Sequence, residues 1–257
     1  MHRLATLLLA LLALSTSPLL ANAAVFRSPN VKHLTTKTFK KAVQGSDKLT
    51  VAAFVAPWCG YCKKLAPDYD KVSDSLKGLV NVVAVDCDAG ENKPLCGEMG
   101  IQGFPTLKIF PGGRAPPRNY DGPREAKDII TAATSSMPTF VKRATTAAEV
   151  TALREKAASK PISLLFTSAG KVTPLYKALS TDFYRTIDFY AARDSKVGEE
   201  TLKAFGVEKT PALLVLDGED VKKYEGPLKY EKIRAFLEPF ALAGKRGGKA
   251  KTAHEEL

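Results

Sequence analysis

Short apolar runs punctuate the first half of the chain, each bounded by polar or turn-forming residues. Leu49 to Val55 (LTVAAFV) and Val80 to Val85 (VNVVAV) are apolar almost without alternation, and Thr106 to Phe110 (TLKIF) follows as a third, shorter run. Runs of this length and composition predict strands buried on both faces. Between them, Cys59 to Leu76 and Pro94 to Met99 carry helical spacing, with Pro67 inside the first as a candidate kink. Pro111-Gly112-Gly113 reads as a turn, Arg118 to Tyr120 as an edge strand, and Arg124 to Thr134 as a closing helix.

The second half repeats the order. Strands are predicted at Ile162 to Thr167, Thr186 to Ala191, Ala212 to Leu216 and Lys222 to Tyr224. Helices are predicted at Pro174 to Asp182, Glu199 to Phe205 and Tyr230 to Leu242. Phe205-Gly206-Val207 followed by Thr210-Pro211-Ala212 echoes Met99-Gly100-Ile101 followed by Phe104-Pro105-Thr106. Strands alternating with helices imply an α/β fold with a covered sheet, present twice. A boundary near Met137-Pro138 divides the chain into units at 24–138 and 139–242.

The two ends read as addresses. His2 and Arg3 precede a Leu/Ala run from Leu4 to Leu14, Pro18 breaks it, and Ala21-Asn22-Ala23 forms an A-x-A cleavage site. Residues 1–23 therefore read as a secretory signal peptide. A membrane anchor is the competing reading, but the apolar run is too short to cross about 30 Å of hydrocarbon. The chain ends in His254, Glu255, Glu256 and Leu257, close to the K-D-E-L type of retrieval signal, after a Gly/Lys/Arg-rich stretch expected to make 243–257 a flexible tail. The expected location is the lumen of the endoplasmic reticulum, an oxidising compartment.

The formal net charge of +11 raises the question of nucleic acid. It is spread as +5 over 24–138, +3 over 139–242 and +2 over 243–257, and most basic residues have acidic neighbours. Solvated faces explain this better than a nucleic-acid footprint. No membrane partner is implied. His33 is the one histidine outside the two address segments. No histidine–carboxylate cluster exists for a hydrolase triad or a histidine metal site, and no metal or cofactor is expected.

The chemistry is carried by Pro57-Trp58-Cys59-Gly60-Tyr61-Cys62-Lys63-Lys64, which follows a buried strand and opens a helix. Two intervening residues across a first helical turn let the sulfurs reach bonding distance. The first sulfur sits at the helix N-terminus, where unpaired amides and the macrodipole favour thiolate. Cys59 is thus the candidate nucleophile and Cys62 the candidate resolving thiol. Phe104-Pro105-Thr106 before a strand suggests a cis proline, with the Phe104 backbone offered to an extended peptide. Trp58 and Tyr61 are candidates for an apolar substrate rim, against a plain packing role for Trp58.

The segments AFVAPWCGYCKKLAPDY, GFPTLKIF and YDGPREAKDI resemble a catalytic domain of the protein disulfide isomerases, within the thioredoxin fold. The resemblance is close over about residues 32–136. Residues 139–242 are similar to that family's redox-inactive thioredoxin-like domains, with Ser168-Ala169-Gly170-Lys171 in place of the cysteine motif. It implies two tandem thioredoxin-like domains, each a central mixed sheet with helices on both faces. It implies roles for Cys59 and Cys62 as above, Pro105 as the cis proline, and Arg124 as a loop arginine that can swing toward the resolving cysteine. Implied partners are unfolded or misfolded secretory polypeptides, a thiol oxidase or glutathione, and a retrieval receptor. Two departures stand out. Tyr61 replaces a usual histidine, which should make the pair more reducing. Ala53 replaces a buried glutamate that relays a proton to the resolving thiol.

Cys87 and Cys96 have three readings: a structural disulfide, which is preferred in an oxidising compartment, buried free thiols, or a four-cysteine zinc site. The second unit has no cysteine and reads as a packing module or a surface for unfolded chains. A non-catalytic chaperone or scaffold is the alternative to an oxidoreductase for the whole chain.

Overall fold

The computed structural model describes residues 24–113 and 115–252, with side chains described as far as Ala241. The proposed signal peptide and the His254–Leu257 end lie outside the described residues. The first unit runs β1 (Lys32–Leu34), α1 (Thr36–Phe39), β2 (Thr50–Val55), α2 (Gly60–Ser75), β3 (Asn81–Asp86), α3 (Lys93–Glu98), β4 (Thr106–Phe110), β5 (Arg118–Asn119) and α4 (Ala126–Ser136). Its sheet order is β1-β3-β2-β4-β5, with β2 parallel to β3 and antiparallel to β4.

All six residues of β2 are buried, which explains its unbroken apolar run. Successive side chains point to opposite faces. Val51, Ala53 and Val55 join Cys62, Leu65, Tyr69, Val72 and Ile129 in the core under α2 and α4. Ala52 and Phe54 join Phe39, Val43, Leu95 and Cys96 in the core under α1 and α3.

The second unit runs β6 (Val141–Ala144), α5 (Ala147–Thr151), α6 (Leu153–Ala157), β7 (Ile162–Thr167), α7 (Pro174–Phe183), β8 (Asp188–Arg193), α8 (Asp194–Val197), α9 (Glu199–Ala204), β9 (Ala212–Asp217), β10 (Asp220–Lys223) and α10 (Tyr230–Thr252). Its sheet order, β10-β9-β7-β8-β6, is the order of the first sheet read from the other edge. The likeness extends to single atoms. The buried Tyr69 hydroxyl of α2 lies 2.9 Å from the Val51 carbonyl oxygen and 2.8 Å from that of Val83. The Tyr176 hydroxyl of α7 lies 2.9 Å from the Ser163 carbonyl and 3.0 Å from that of Tyr190. Each ties the helix to the same two adjacent strands of its sheet.

The structure departs from sequence expectation at the edges. β1 and β6 are three and four residues long, largely exposed and rich in basic residues, so they carry no apolar pattern. β10 starts two residues before the expected Lys222, because the turn at Gly218 (φ 62°) returns the chain immediately against β9. α10 runs on to Thr252, so 243–252 is helical where a flexible stretch was expected. Extending a helix already anchored by packing costs far less than starting one.

The units meet at Lys48. Its ammonium lies 3.0 Å from an Asp182 carboxylate oxygen and donates to the Gly78 carbonyl (2.7 Å) and the Tyr230 hydroxyl (3.1 Å). A side chain at Gly78 (φ 78°) would run into the Tyr230 ring, its Cβ only 2.3 Å from the nearest ring atom.

Candidate functional site

Cys59 is the residue immediately before α2, in extended conformation (φ −73°, ψ 118°), so its sulfur faces the free amides of the first turn. It is 8% exposed, whereas Cys62, one turn in, is fully buried. Both are free thiols. β2 delivers the chain to this point at Val55, and a short turn through Pro57 and Trp58 leads from it to Cys59 and the start of α2.

The two sulfurs ionise very differently. Burial raises the Cys59 pKa, but hydrogen bonds from the Cys62 amide and thiol and the Tyr61 amide, with the charge of Arg124, outweigh it. Cys59 is held below the ordinary 9.0. Burial pushes Cys62 up to about 12, and its neighbour Cys59 adds to the rise, while the Ala56 backbone and Arg124 pull the other way. An exposed edge of one reactive sulfur and a protonated partner behind it is the arrangement that thiol exchange needs.

A second loop closes over the pair. The Phe104-Pro105 peptide bond is cis, and the Cys59 thiol donates to the Phe104 carbonyl at 3.4 Å. Arg124, exposed just before α4, donates from Nη2 to the Pro105 carbonyl at 3.1 Å. Its guanidinium therefore rests on the proline loop, where its charge acts on both cysteines. Trp58 and Tyr61 are 65% and 68% exposed. The Trp58 ring meets the Phe104 ring edge-on with centroids 5.9 Å apart, so Trp58, Phe104 and Cys59 form one surface.

Lys64 was not singled out from sequence, although its i,i+3 spacing from Tyr61 is a usable sign. Its ammonium lies 5.6 Å from the centre of the Tyr61 ring, which places a cation beside the reactive turn. Ala53 is fully buried beneath the pair and offers no proton acceptor. The Asp70 carboxylate accepts the Arg27 and Ser28 amides, and Asp68 lies 3.7 Å from the Lys71 ammonium. Cys87 and Cys96 are joined as a disulfide with Cα atoms 5.9 Å apart. Among the described residues no group of three or more His, Cys, Asp or Glu side chains is placed to hold a metal ion. In the second unit the Thr210-Pro211 bond is also cis, and the Ser168–Lys171 turn beside it has no thiol.

The thioredoxin family model matches residues 30–135. A putative protein disulfide-isomerase of Dictyostelium discoideum is 41% identical over 220 residues, covering 82% of this chain and 53% of that protein. Protein disulfide-isomerase MPD1 of Saccharomyces cerevisiae is 31% identical over 205 residues, covering 72% of this chain and 63% of that protein. The chain thus spans between half and two thirds of the length of these relatives. Among solved structures, the crystal structure of ERdj5 form II superposes with a TM-score of 0.51 at 18% identity, over 84% of this chain and 30% of that one, a likeness of fold.

Proposed function

Since the chain belongs to the protein disulfide-isomerase family, we propose that it is a thiol–disulfide oxidoreductase of the endoplasmic reticulum lumen that makes, breaks and rearranges disulfides in folding secretory polypeptides. The observation that carries this reading is the placement of two free thiols across the first turn of α2, with Cys59 at its start against the Phe104 carbonyl and Cys62 fully buried behind it.

In the reducing direction, the Cys59 thiolate attacks one sulfur of the client disulfide. A Cys59–client bond forms, the client S–S bond breaks, and the other client sulfur leaves as thiolate. Cys62 then gives up its proton and attacks the Cys59 sulfur. The second client sulfur departs, and two electrons have passed from the pair to the client. The oxidising direction is the reverse, beginning from the Cys59–Cys62 disulfide. The client strand lies along the Phe104 backbone, with Trp58 and Tyr61 as the apolar rim. Arg124 supplies the positive charge that favours ionised Cys62 at the resolving step.

Redox partners are a thiol oxidase or glutathione. The His254–Leu257 end would return the protein to the reticulum through a retrieval receptor. Tyr61 sets the pair toward the reducing end of a range of about 90 mV, or roughly 4 kcal/mol for two electrons. Redox titration of the Cys59–Cys62 pair tests this directly. Tyr61→His should raise its potential, and a wild-type potential far below about −300 mV would leave only a structural disulfide.

A further inference from the structure

The Cys87–Cys96 disulfide is hydrogen-bonded at both ends to the two segments that meet at Cys59. The Cys87 amide donates to the Val55 carbonyl at 2.8 Å, at the last residue of β2 and four residues before Cys59. The Ile101 amide donates to the Cys96 carbonyl at 2.9 Å, three residues before Phe104. Cys87 and Cys96 are both buried, in the apolar cluster that contains Phe54, Val85 and Leu95. Phe104 packs against that cluster and also against the cluster that contains Cys59 and Cys62. One side chain therefore touches both the bridge's surroundings and those of the reactive pair. Its carbonyl meets Cys59 and its ring meets Trp58.

The bridge spans nine residues. Cys96 sits in α3, which has six residues, too few to hold its shape without outside support. The covalent link removes the freedom that so short a helix would otherwise leave between the end of β3 and the start of the proline loop.

We propose that the Cys87–Cys96 bridge is a positioning crosslink for client binding. It holds the Val55–Cys59 segment and the Ile101–Phe104 segment at one spacing, so that a peptide laid along Phe104 brings its sulfur to Cys59. This rests on the oxidoreductase reading above. It adds that a disulfide outside the exchange reaction sets how well a peptide, as distinct from a small disulfide, is engaged.

Trp58 is the only tryptophan in the chain and reports on the Phe104 contact without any turnover. The test uses the full chain with the double substitution Cys87→Ala and Cys96→Val, which breaks the bond and keeps apolar side chains at both sites. Time-resolved anisotropy of Trp58 is the deciding readout. The amplitude of its nanosecond motion should grow about twofold. KM for a peptide disulfide should rise about tenfold with kcat nearly unchanged, while the rate with a small aromatic disulfide stays within about twofold. Unchanged Trp58 motion overturns the inference, as does equal slowing of both substrates. A wild-type chain that reduces neither substrate ends the oxidoreductase reading, whereas the Trp58 comparison still decides whether the bridge positions the two segments. Should the double variant fail to fold, the wild-type chain with its bridge opened by a phosphine gives the same anisotropy comparison.

Discussion

The sulfur of Cys59 lies 3.4 Å from the carbonyl oxygen of Phe104, across 45 residues of chain. A helix start and a proline loop thus form a single reactive edge. Cys59→Ser should abolish reduction of a protein disulfide such as that of insulin, because the serine hydroxyl does not ionise near neutral pH. Cys62→Ser should retain the first attack and accumulate mixed disulfides, visible as client adducts on non-reducing gels. Full reductase activity in Cys59→Ser would end the mechanism.

The ionisation split makes two pH predictions. Alkylation of the reduced protein by iodoacetamide should show an inflection below pH 9.0 for Cys59 and leave Cys62 unreactive until far higher pH. For stability, the native state holds Cys59 as thiolate more readily than the unfolded chain does. Its contribution is present above pH 9.0 and is lost as pH falls through the lower native pKa. Cys62 acts in the opposite sense. The native state keeps its proton up to about pH 12, so its contribution is present below 9.0 and is lost as pH rises toward 12. Chemical denaturation of the reduced chain, compared with Cys62→Ala between pH 8 and 11, checks the second sign.

Arg124 touches the Pro105 carbonyl and is itself exposed, so its removal should leave the fold intact. Arg124→Gln keeps donors and removes the charge. The resolving step should slow by roughly tenfold, the equivalent of about 1.4 kcal/mol, and the pKa of Cys62 should rise. Stopped-flow decay of the mixed disulfide against pH measures both. A uniform loss at every pH would instead point to disturbed loop geometry.

The paired tyrosines give a stability test of the internal repeat. Tyr69→Phe and Tyr176→Phe each remove a buried hydroxyl that lies between two strand carbonyls. Each should cost about 1–3 kcal/mol, read as a lowered denaturation midpoint. Tyr176→Phe should do so without changing the alkylation rate of Cys59, since it sits on α7 in the other unit.

The repeated α/β order and the reactive cysteines were legible in the sequence because local rules govern both. Unbroken apolar runs such as Val80 to Val85 report burial on both faces, and a Cys-x-x-Cys between strand and helix places one sulfur at free amides whatever surrounds it. Strand edges were not legible. β1 and β6 are short and exposed, and only the hydrogen bonds of β3 and β8 make them strands. Tertiary structure alone decided what lies between distant segments: Phe104 against Cys59, Arg124 on the Pro105 carbonyl, Lys48 between the two units, and the ends of the Cys87–Cys96 bridge on both loops. The contacts of Phe104 with Cys59, Lys48 with Asp182 and Cys87 with Val55 join residues tens of positions apart, and no periodicity along the chain records them. The sequence by itself thus determined which atoms can react. Packing of the two loops decided how a client would be held against them, because that depends on distances set by the whole sheet.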